Sequence, residues 1–443
     1  MVMERGASSN NCGENSPLLP AYRHKREELL SSTWKSFGNI LIAIVGAGVL
    51  GLPYTFKTTG WLTGIIMLGI VAALTYYCMM LLVWTKRKLE NDGCVKMGSF
   101  GDVAFTISGS NGKLMVDFMI VLSQAGFCVS YLIFIGNSLS SILSKPEPMM
   151  NYNYLHFPSP SSNKFLLGEY KILGIAAKTL FIWIVFPFQI GLNAIRTLTH
   201  LAPLSIFADV VDIAAMVVVM VDDLVTYLNN RPDLQAFTSL SVIPYGIGVA
   251  IYAFEGIGMV LPLEVVADKK HKFGGILGLA ILLITLTYGC FGTLGYFAFG
   301  AETRDIITLN LGKNLMTDMV QLALCINLFF TFPLMMTPVH EVMESRFNKG
   351  EYSLLLRSLS VLCTTLVAML VPNFADFLSL VGSSVCCALG FVFPAIFHMI
   401  ACRRDCPKIQ LLADALIICF GTVFAVLGTT SSVKNILSPV VQN

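Results

Sequence analysis

The sequence predicts an all-α polytopic membrane protein: eleven transmembrane helices in a 5+5 inverted repeat, with broken helices 1 and 6 plus one extra helix. Three observations carry this expectation. Of 443 residues, 55% are hydrophobic and only 13% are charged, with mean hydropathy +0.72, whereas soluble domains carry about 25% charged residues. Apolar runs of roughly 18 residues or more, each able to cross a bilayer, recur along almost the whole chain. Finally, two of these runs are broken by glycines and followed by a proline. One reads Gly46-Ala47-Gly48-Val49-Leu50-Gly51-Leu52-Pro53, the other Glu255-Gly256-Ile257-Gly258-Met259-Val260-Leu261-Pro262.

Taken in order, the expected spans are 37–57, 61–84, 113–141, 172–191, 201–221, 240–263, 274–299, 316–336, 356–371, 375–400 and 411–430. Cytoplasmic loops carry an excess of Lys and Arg. With a cytosolic N-terminus, twenty of the 29 basic residues fall on the cytosolic side, eight on the other, and Lys178 inside the fourth span. The C-terminus is then outside or in a lumen. Residues 1–36 are polar, so no cleavable signal peptide is expected and the first span serves as the insertion signal. Residues 37–221 form the first half (spans 1–5), 240–400 the second (spans 6–10), and 411–443 the last span and a lumenal C-terminus.

The N-terminal tail, rich in Ser, Asn and Pro, is expected to be disordered and cytosolic. It contains Glu14-Asn15-Ser16-Pro17-Leu18-Leu19, an acidic dileucine pattern. Sorting adaptor complexes read such a signal through one carboxylate and two apolar side chains, here Glu14, Leu18 and Leu19. Its place in an exposed tail points to an endosomal, lysosomal or vacuolar membrane. Most of the twelve cysteines lie inside spans, where they act as small apolar side chains. Cys402 and Cys406 flank a basic loop, but no nearby histidine or further cysteine is read beside them, so no zinc site is expected. No cofactor, metal or nucleic-acid partner is expected, and no nucleophile–base or paired-carboxylate constellation suggests an enzyme.

Glycine and proline at membrane depth free backbone N–H and C=O groups, and such backbone survives only where it lines a protein cavity. Corresponding breaks in two halves of a chain are the best sequence pointer to a transporter's binding site. Helix halves that start at a break offer N–H groups and a positive dipole end to a carboxylate. Halves that end there offer carbonyls to an ammonium group. A free amino acid supplies both charges. The expected substrate contacts are Gly46, Ala47, Gly48 and Val49 in span 1, Phe254, Glu255 and Gly256 in span 6, Ser123 and Gln124 in span 3, and Asn327 in span 8.

An ionisable group inside a span is a functional hypothesis by default. Glu255 borders the second break and is the leading proton carrier, because burial favours its protonated form. The competing reading is a carboxylate latched to freed backbone N–H groups. Asp209, Asp212 and Asp376 are weaker candidates that can pair with Lys178 or Arg196. His340 and Glu341 are expected in a solvated or gating position, and His398 at the membrane interface. No second acid or base is read near the breaks, which favours a small neutral amino acid. Two other classes compete: a sodium-coupled symporter or exchanger, with span-1 carbonyls and Thr331 holding the ion, and an amino-acid sensor that does not transport.

The string Phe37 to Trp61, and Tyr252-Ala253-Phe254-Glu255-Gly256-Ile257-Gly258-Met259-Val260-Leu261-Pro262-Leu263-Glu264, resemble the first and sixth spans of the amino acid/auxin permease family. Leu122-Ser123-Gln124-Ala125-Gly126-Phe127-Cys128, Thr199-His200-Leu201-Ala202-Pro203-Leu204-Ser205 and Val371-Pro372-Asn373-Phe374-Ala375-Asp376-Phe377 agree. The resemblance is nearest to the plant vacuolar neutral amino-acid transporter branch. It implies a proton-coupled symporter that moves amino acids from an acidic lumen to the cytosol on an eleven-helix fold. This chain has Asn39 where some animal proton-coupled relatives carry a histidine early in span 1, so no histidine relay is expected there.

Overall fold

The computed structural model describes residues 33–93, 96–143, 171–172, 175–195, 202–312, 314–403 and 405–441. Glu14, Leu18, Leu19, Arg196 and the Asp209 side chain lie outside the described residues. The fold is helical, with helices at every expected run: α1 (Thr33–Ile44), α2 (Leu52–Thr59), α3 (Trp61–Gly93), α4 (Phe100–Leu143), α5 (Ala177–Asn193), α6 (Ala202–Asn230), α7 (Ile243–Ala253), α8 (Ile257–Val266), α9 (Phe273–Phe299), α10 (Leu315–Phe347), α11 (Leu354–Leu370), α12 (Phe374–Val381), α13 (Phe393–Cys402) and α14 (Lys408–Val441). Lys171–Ile172 and Ile175–Ala176 form a short antiparallel ladder ahead of α5. Among the described residues, 7 helical segments are long and apolar enough to cross a membrane, and up to 8 with the bent α1–α2 pair. The helices α5 and α11 are shorter apolar helices.

Several helices outrun their apolar runs. At 33 residues, α3 is about 50 Å long by its rise per residue, against a hydrocarbon core of about 30 Å. Its last turns carry Lys86, Arg87, Lys88 and Glu90, beyond the apolar run expected at 61–84. The third run was expected to begin at 113, but α4 begins at Phe100 and kinks at Gly109, whose φ of 67° is left-handed. Such a φ suits glycine, and the glycine lets a polar first segment join the apolar remainder.

Both expected breaks exist, in different forms. Chain direction changes after Ile44: Gly46 is extended, Ala47–Gly51 form a 3₁₀ turn, and α2 follows with Pro53 in its first turn. The two halves are bent by 48°. Proline fits there because an N-terminal N–H has no intrahelical partner anyway. In the second break α7 ends at Ala253 and α8 starts at Ile257. Pro262 lies inside α8, so the glycine at 256, not the proline, ends the helical run.

The tenth run is one continuous rod, but Gly382–Cys386 and Ala388–Val392 are π turns between α12 and α13. Wide turns of this kind cluster at functional sites. Here the rod packs on α7 with no room for a side chain: a Cβ on Gly382 would collide with the Gly248 carbonyl oxygen. Ser379 Oγ donates to Tyr245 O at 2.9 Å, and Ser432 Oγ of α14 donates to Ser379 Oγ at 2.8 Å. The apolar stretch of α14 is only 22% buried against 61% for residues 374–402, so α14 flanks the bundle. We predict that Gly382→Ala destabilises the detergent-solubilised protein by about 1–3 kcal/mol, the usual cost of overpacking. Gly390→Ala, which meets nothing within 4 Å, leaves the thermal midpoint unchanged or higher.

Candidate functional site

The two breaks pack into each other. A Cβ on Gly48 would stand 2.8 Å from Ala253 Cα and 3.0 Å from Tyr252 Cδ1. Reciprocally, a Cβ on Gly256 would stand 2.9 Å from Ile44 Cγ1 and 3.4 Å from Ala43 O. In each case the residue after one break touches the residue before the other, which is the contact pattern of two antiparallel segments. Tyr288 of α9 holds this crossing from the side. Its hydroxyl donates to Ile44 O at 3.4 Å, and its ring centroid is 5.4 Å from that of Phe254.

A cavity opens on either side of the crossing. One is lined by Val45, Gly46, Ala47, Val49 and Leu50, by Asp212 and Met216 of α6, and by Leu324 and Leu328 of α10. The other is lined by Glu255, Ile257 and Gly258, by Phe100, Ser123 and Gln124 of α4, and by Leu389 of the second π turn. The expected contacts therefore divide. Gly46, Ala47 and Val49 line the first cavity and Ser123, Gln124 and Glu255 the second, while Gly48 and Gly256 are packed into the crossing itself. Phe254 is buried against Tyr288 and lines neither. Asn327 is buried, and its side-chain oxygen accepts from Thr331 Oγ1 at 3.0 Å.

The carboxylate of Glu255 accepts the backbone N–H of Ile257, the first residue of α8. That N–H belongs to the group of helix-initial donors with no intrahelical acceptor, so the Glu255 carboxyl stands beside the free start of α8. Ser123 Oγ and Cys386 Sγ meet at 3.8 Å beside it, joining α4 to the first π turn. Ser130 Oγ and Tyr252 Oη, 2.6 Å apart, make a second tie between α4 and the end of α7. One sequence expectation is corrected here. A second acid does stand near the breaks, because the packing of α6 on α9 and α10 brings Asp212 into the first cavity. Asp212 is itself engaged within the chain.

Other ionisable groups gather at the two ends of the bundle. Lys86 is wholly buried and lies 2.5 Å from Glu264 Oε2, while Arg87 approaches Glu264 Oε1 at 3.0 Å. This pairing was missed in the sequence, where Lys86 and Arg87 count as loop charges. An acid at the end of an apolar run, two residues after Pro262, was the available signal. At the opposite end, Phe374 N–H donates to Asp305 Oδ2 at 2.7 Å. Burial holds the Asp305 carboxyl above the ordinary carboxylate range. Lys178 donates to Val371 O at 2.7 Å and faces Asp305.

Two histidine expectations are also corrected. His340 is buried, not solvated, with Nε2 3.1 Å from Ser360 Oγ and the Glu344–Arg357 pair one turn away; Glu341 is exposed. His398 is buried within the protein, one turn before the end of α13, with Nδ1 2.7 Å from Asp414 Oδ2. It also stands beside Cys402 and Cys406, so the reading that no histidine is near them fails: four residues are one helical turn.

Residues 30–434 match the family described as transmembrane amino acid transporter protein. The chain belongs to this family. Amino acid transporter AVT3C of Arabidopsis thaliana is 55% identical over 96% of this chain and 94% of that protein. Amino acid transporter AVT3A of the same plant is 53% identical over 96% and 93%. Vacuolar amino acid transporter 4 of Saccharomyces cerevisiae is 26% identical, over 88% of this chain and 56% of that one. The fold is similar to that of Mhp1, a nucleobase–cation–symport-1 family transporter in a closed conformation with bromovinylhydantoin bound. That likeness has TM-score 0.52 at 14% identity, over 92% of this chain and 93% of the other. In this family member the crossing breaks sit at the centre of a transporter fold, and the buried Lys86–Glu264 pair ties α3 to α8.

Removing one member of a buried pair leaves the other charge uncompensated, at about 3–5 kcal/mol. Glu264→Leu strands Lys86, whose nearest other acid is Glu90 at 3.9 Å, whereas Lys86→Met leaves Glu264 still paired with Arg87. We predict that Glu264→Leu lowers stability more than Lys86→Met, and that the double variant recovers part of the loss. Thermal unfolding in detergent checks the order.

Proposed function

We propose that this chain is a proton-coupled amino-acid symporter that exports small neutral amino acids from an acidic vacuolar lumen to the cytosol by alternating access. Its eleven spans form a 5+5 inverted repeat with one extra helix. Residues 1–36 are a cytosolic tail carrying the adaptor signal Glu14, Leu18 and Leu19; 37–221 and 240–400 are the two halves; and 411–443 end in the lumen. The observation that carries this reading is the reciprocal packing of the two breaks, Gly48 on Ala253 and Gly256 on Ile44. It makes one site of two helix starts and two helix ends, which suits the paired charges of a free amino acid. The vacuolar names of relatives support the compartment.

Glu255 supplies the coupling. While ionised it occupies the Ile257 N–H, a donor that a substrate carboxylate also requires, and it repels that carboxylate. Protonation on the acidic side releases the donor and removes the repulsion, so proton and substrate load together. Loss of the proton in the cytosol restores the Glu255–Ile257 hydrogen bond and expels the substrate. A lumen about two pH units more acidic supplies roughly 2.7 kcal/mol per proton, or about hundredfold accumulation at one proton per substrate. Sodium coupling is the alternative, through span-1 carbonyls and Thr331; its hydroxyl already donates to Asn327 within α10.

The test is uptake of labelled alanine, proline, glutamate and arginine into sodium-free proteoliposomes, with and without an imposed pH gradient. Alanine and proline are expected to accumulate only with the gradient, and glutamate and arginine weakly or not at all. Sodium-dependent uptake without a pH dependence would reject proton symport. Glu255→Gln is expected to abolish accumulation; full retention would remove Glu255 as the obligatory carrier.

A further inference from the structure

We propose that the junction between α13 and α14 is a metal site of the zinc class, ligated by His398, Cys402 and Cys406 and oriented by Asp414. His398 and Cys402 share one face of α13, one turn apart. Beyond the helix the chain folds back on itself: the N–H groups of Asp405 and Cys406 both donate to Cys402 O, at 3.0 and 2.9 Å. That turn carries Cys406 Sγ to 4.0 Å from His398 Nε2. The ligand atoms of all three residues lie within 4.8 Å of one another, so small side-chain rotations close them on a single ion. His398 and Cys402 are buried, while Cys406 is partly exposed and gives a route from solvent.

The fourth residue is what separates this cluster from a chance meeting of sulfurs. Asp414 of α14 is wholly buried and sits 2.7 Å from His398 Nδ1. A histidine that gives its Nδ1–H to a carboxylate presents Nε2 as the lone-pair nitrogen, here toward the thiols. Metal-bound histidines are commonly oriented in this way. The other oxygen of Asp414, Oδ1, has no hydrogen-bond partner. Among the described residues no lysine or arginine forms an ion pair with Asp414. A buried carboxylate without a cation is costly, and metal binding at Nε2 polarises the Nδ1–H that Asp414 accepts, strengthening that hydrogen bond.

Two thiolates and an imidazole select thiophilic, tetrahedral ions over magnesium or calcium, which require oxygen ligands. Three protein ligands leave one position for water or an external donor. On binding, two S–H bonds break, two S–metal bonds form, and two protons leave to solvent. The ion staples the end of α13 to the start of α14. Alongside, the Lys88–Asp405 ion pair at 2.5 Å holds the same turn to α3.

The test uses the full-length protein, purified in detergent with a phosphine reductant, stripped by chelation and titrated with Zn²⁺ and with Co²⁺ as a spectroscopic probe. One ion per chain and a near-ultraviolet sulfur-to-cobalt absorption are expected. Cys406→Ser, at a partly exposed turn, is expected to lose that absorption while keeping the metal-free thermal midpoint. Asp414→Asn is expected to weaken binding about 10- to 100-fold. Absence of the absorption in the unsubstituted protein overturns the proposal. So does an absorption unchanged in both Cys402→Ser and Cys406→Ser, or a Cys402–Cys406 disulfide found in place of bound metal.

Discussion

A peptide group left unpaired in hydrocarbon costs several kcal/mol, and this chain interrupts its helices in two places at once. The rest of the structure is arranged around how they are covered. The 3₁₀ turn after Gly46 and the three non-helical residues Phe254, Glu255 and Gly256 are pressed against each other, with Tyr288 bonded to Ile44 O. Absence of a side chain at positions 48 and 256 makes that approach possible. The same logic continues outward: Gly248 meets Gly382, and the tenth rod adopts π turns beside them. Closeness of backbone is the common means, and small residues are its condition.

The charges follow a second rule. Ionisable groups are kept at the ends of the bundle, where Lys86, Arg87 and Glu264 close one end and Asp305 and Lys178 lie at the other. Among the described residues, Glu255 and Asp212 instead lie beside the breaks, one in each cavity. That placement puts two carboxyl groups beside the two helix breaks. Glu255 beside the Ile257 N–H is the position that both readings left open by the sequence require.

Much of the fold was legible because the bilayer imposes one period and one length on every span. Helices stand at each expected run, and both glycine breaks were visible as interruptions in apolar text. What was not legible depended on which faces meet. Asp212 read as a remote acid in span 5, and only the packing of α6 brought it to the first break. Phe254 read as a pocket residue beside Glu255, but consecutive residues point different ways, and it turned to Tyr288. Lys86 looked like a loop charge because its partner lies 178 residues away. The pairing of His398 with Cys402 was a local signal, one turn apart on a helix, and was overlooked because the two were read as separate elements. The π turns of the tenth rod left no mark beyond Gly382-Ser383-Ser384 and Gly390.

The account stands on the claim that the two breaks form a single binding site by close backbone contact. Equilibrium binding of labelled alanine to the purified protein, measured for Gly48→Ala and Gly38→Ala, tests it most directly. A Cβ at 48 must push Ala253 away, whereas one at 38 meets nothing within 4 Å. The account predicts at least tenfold weaker binding for Gly48→Ala, about 1.4 kcal/mol, and unchanged binding for Gly38→Ala. Full affinity in Gly48→Ala would contradict it.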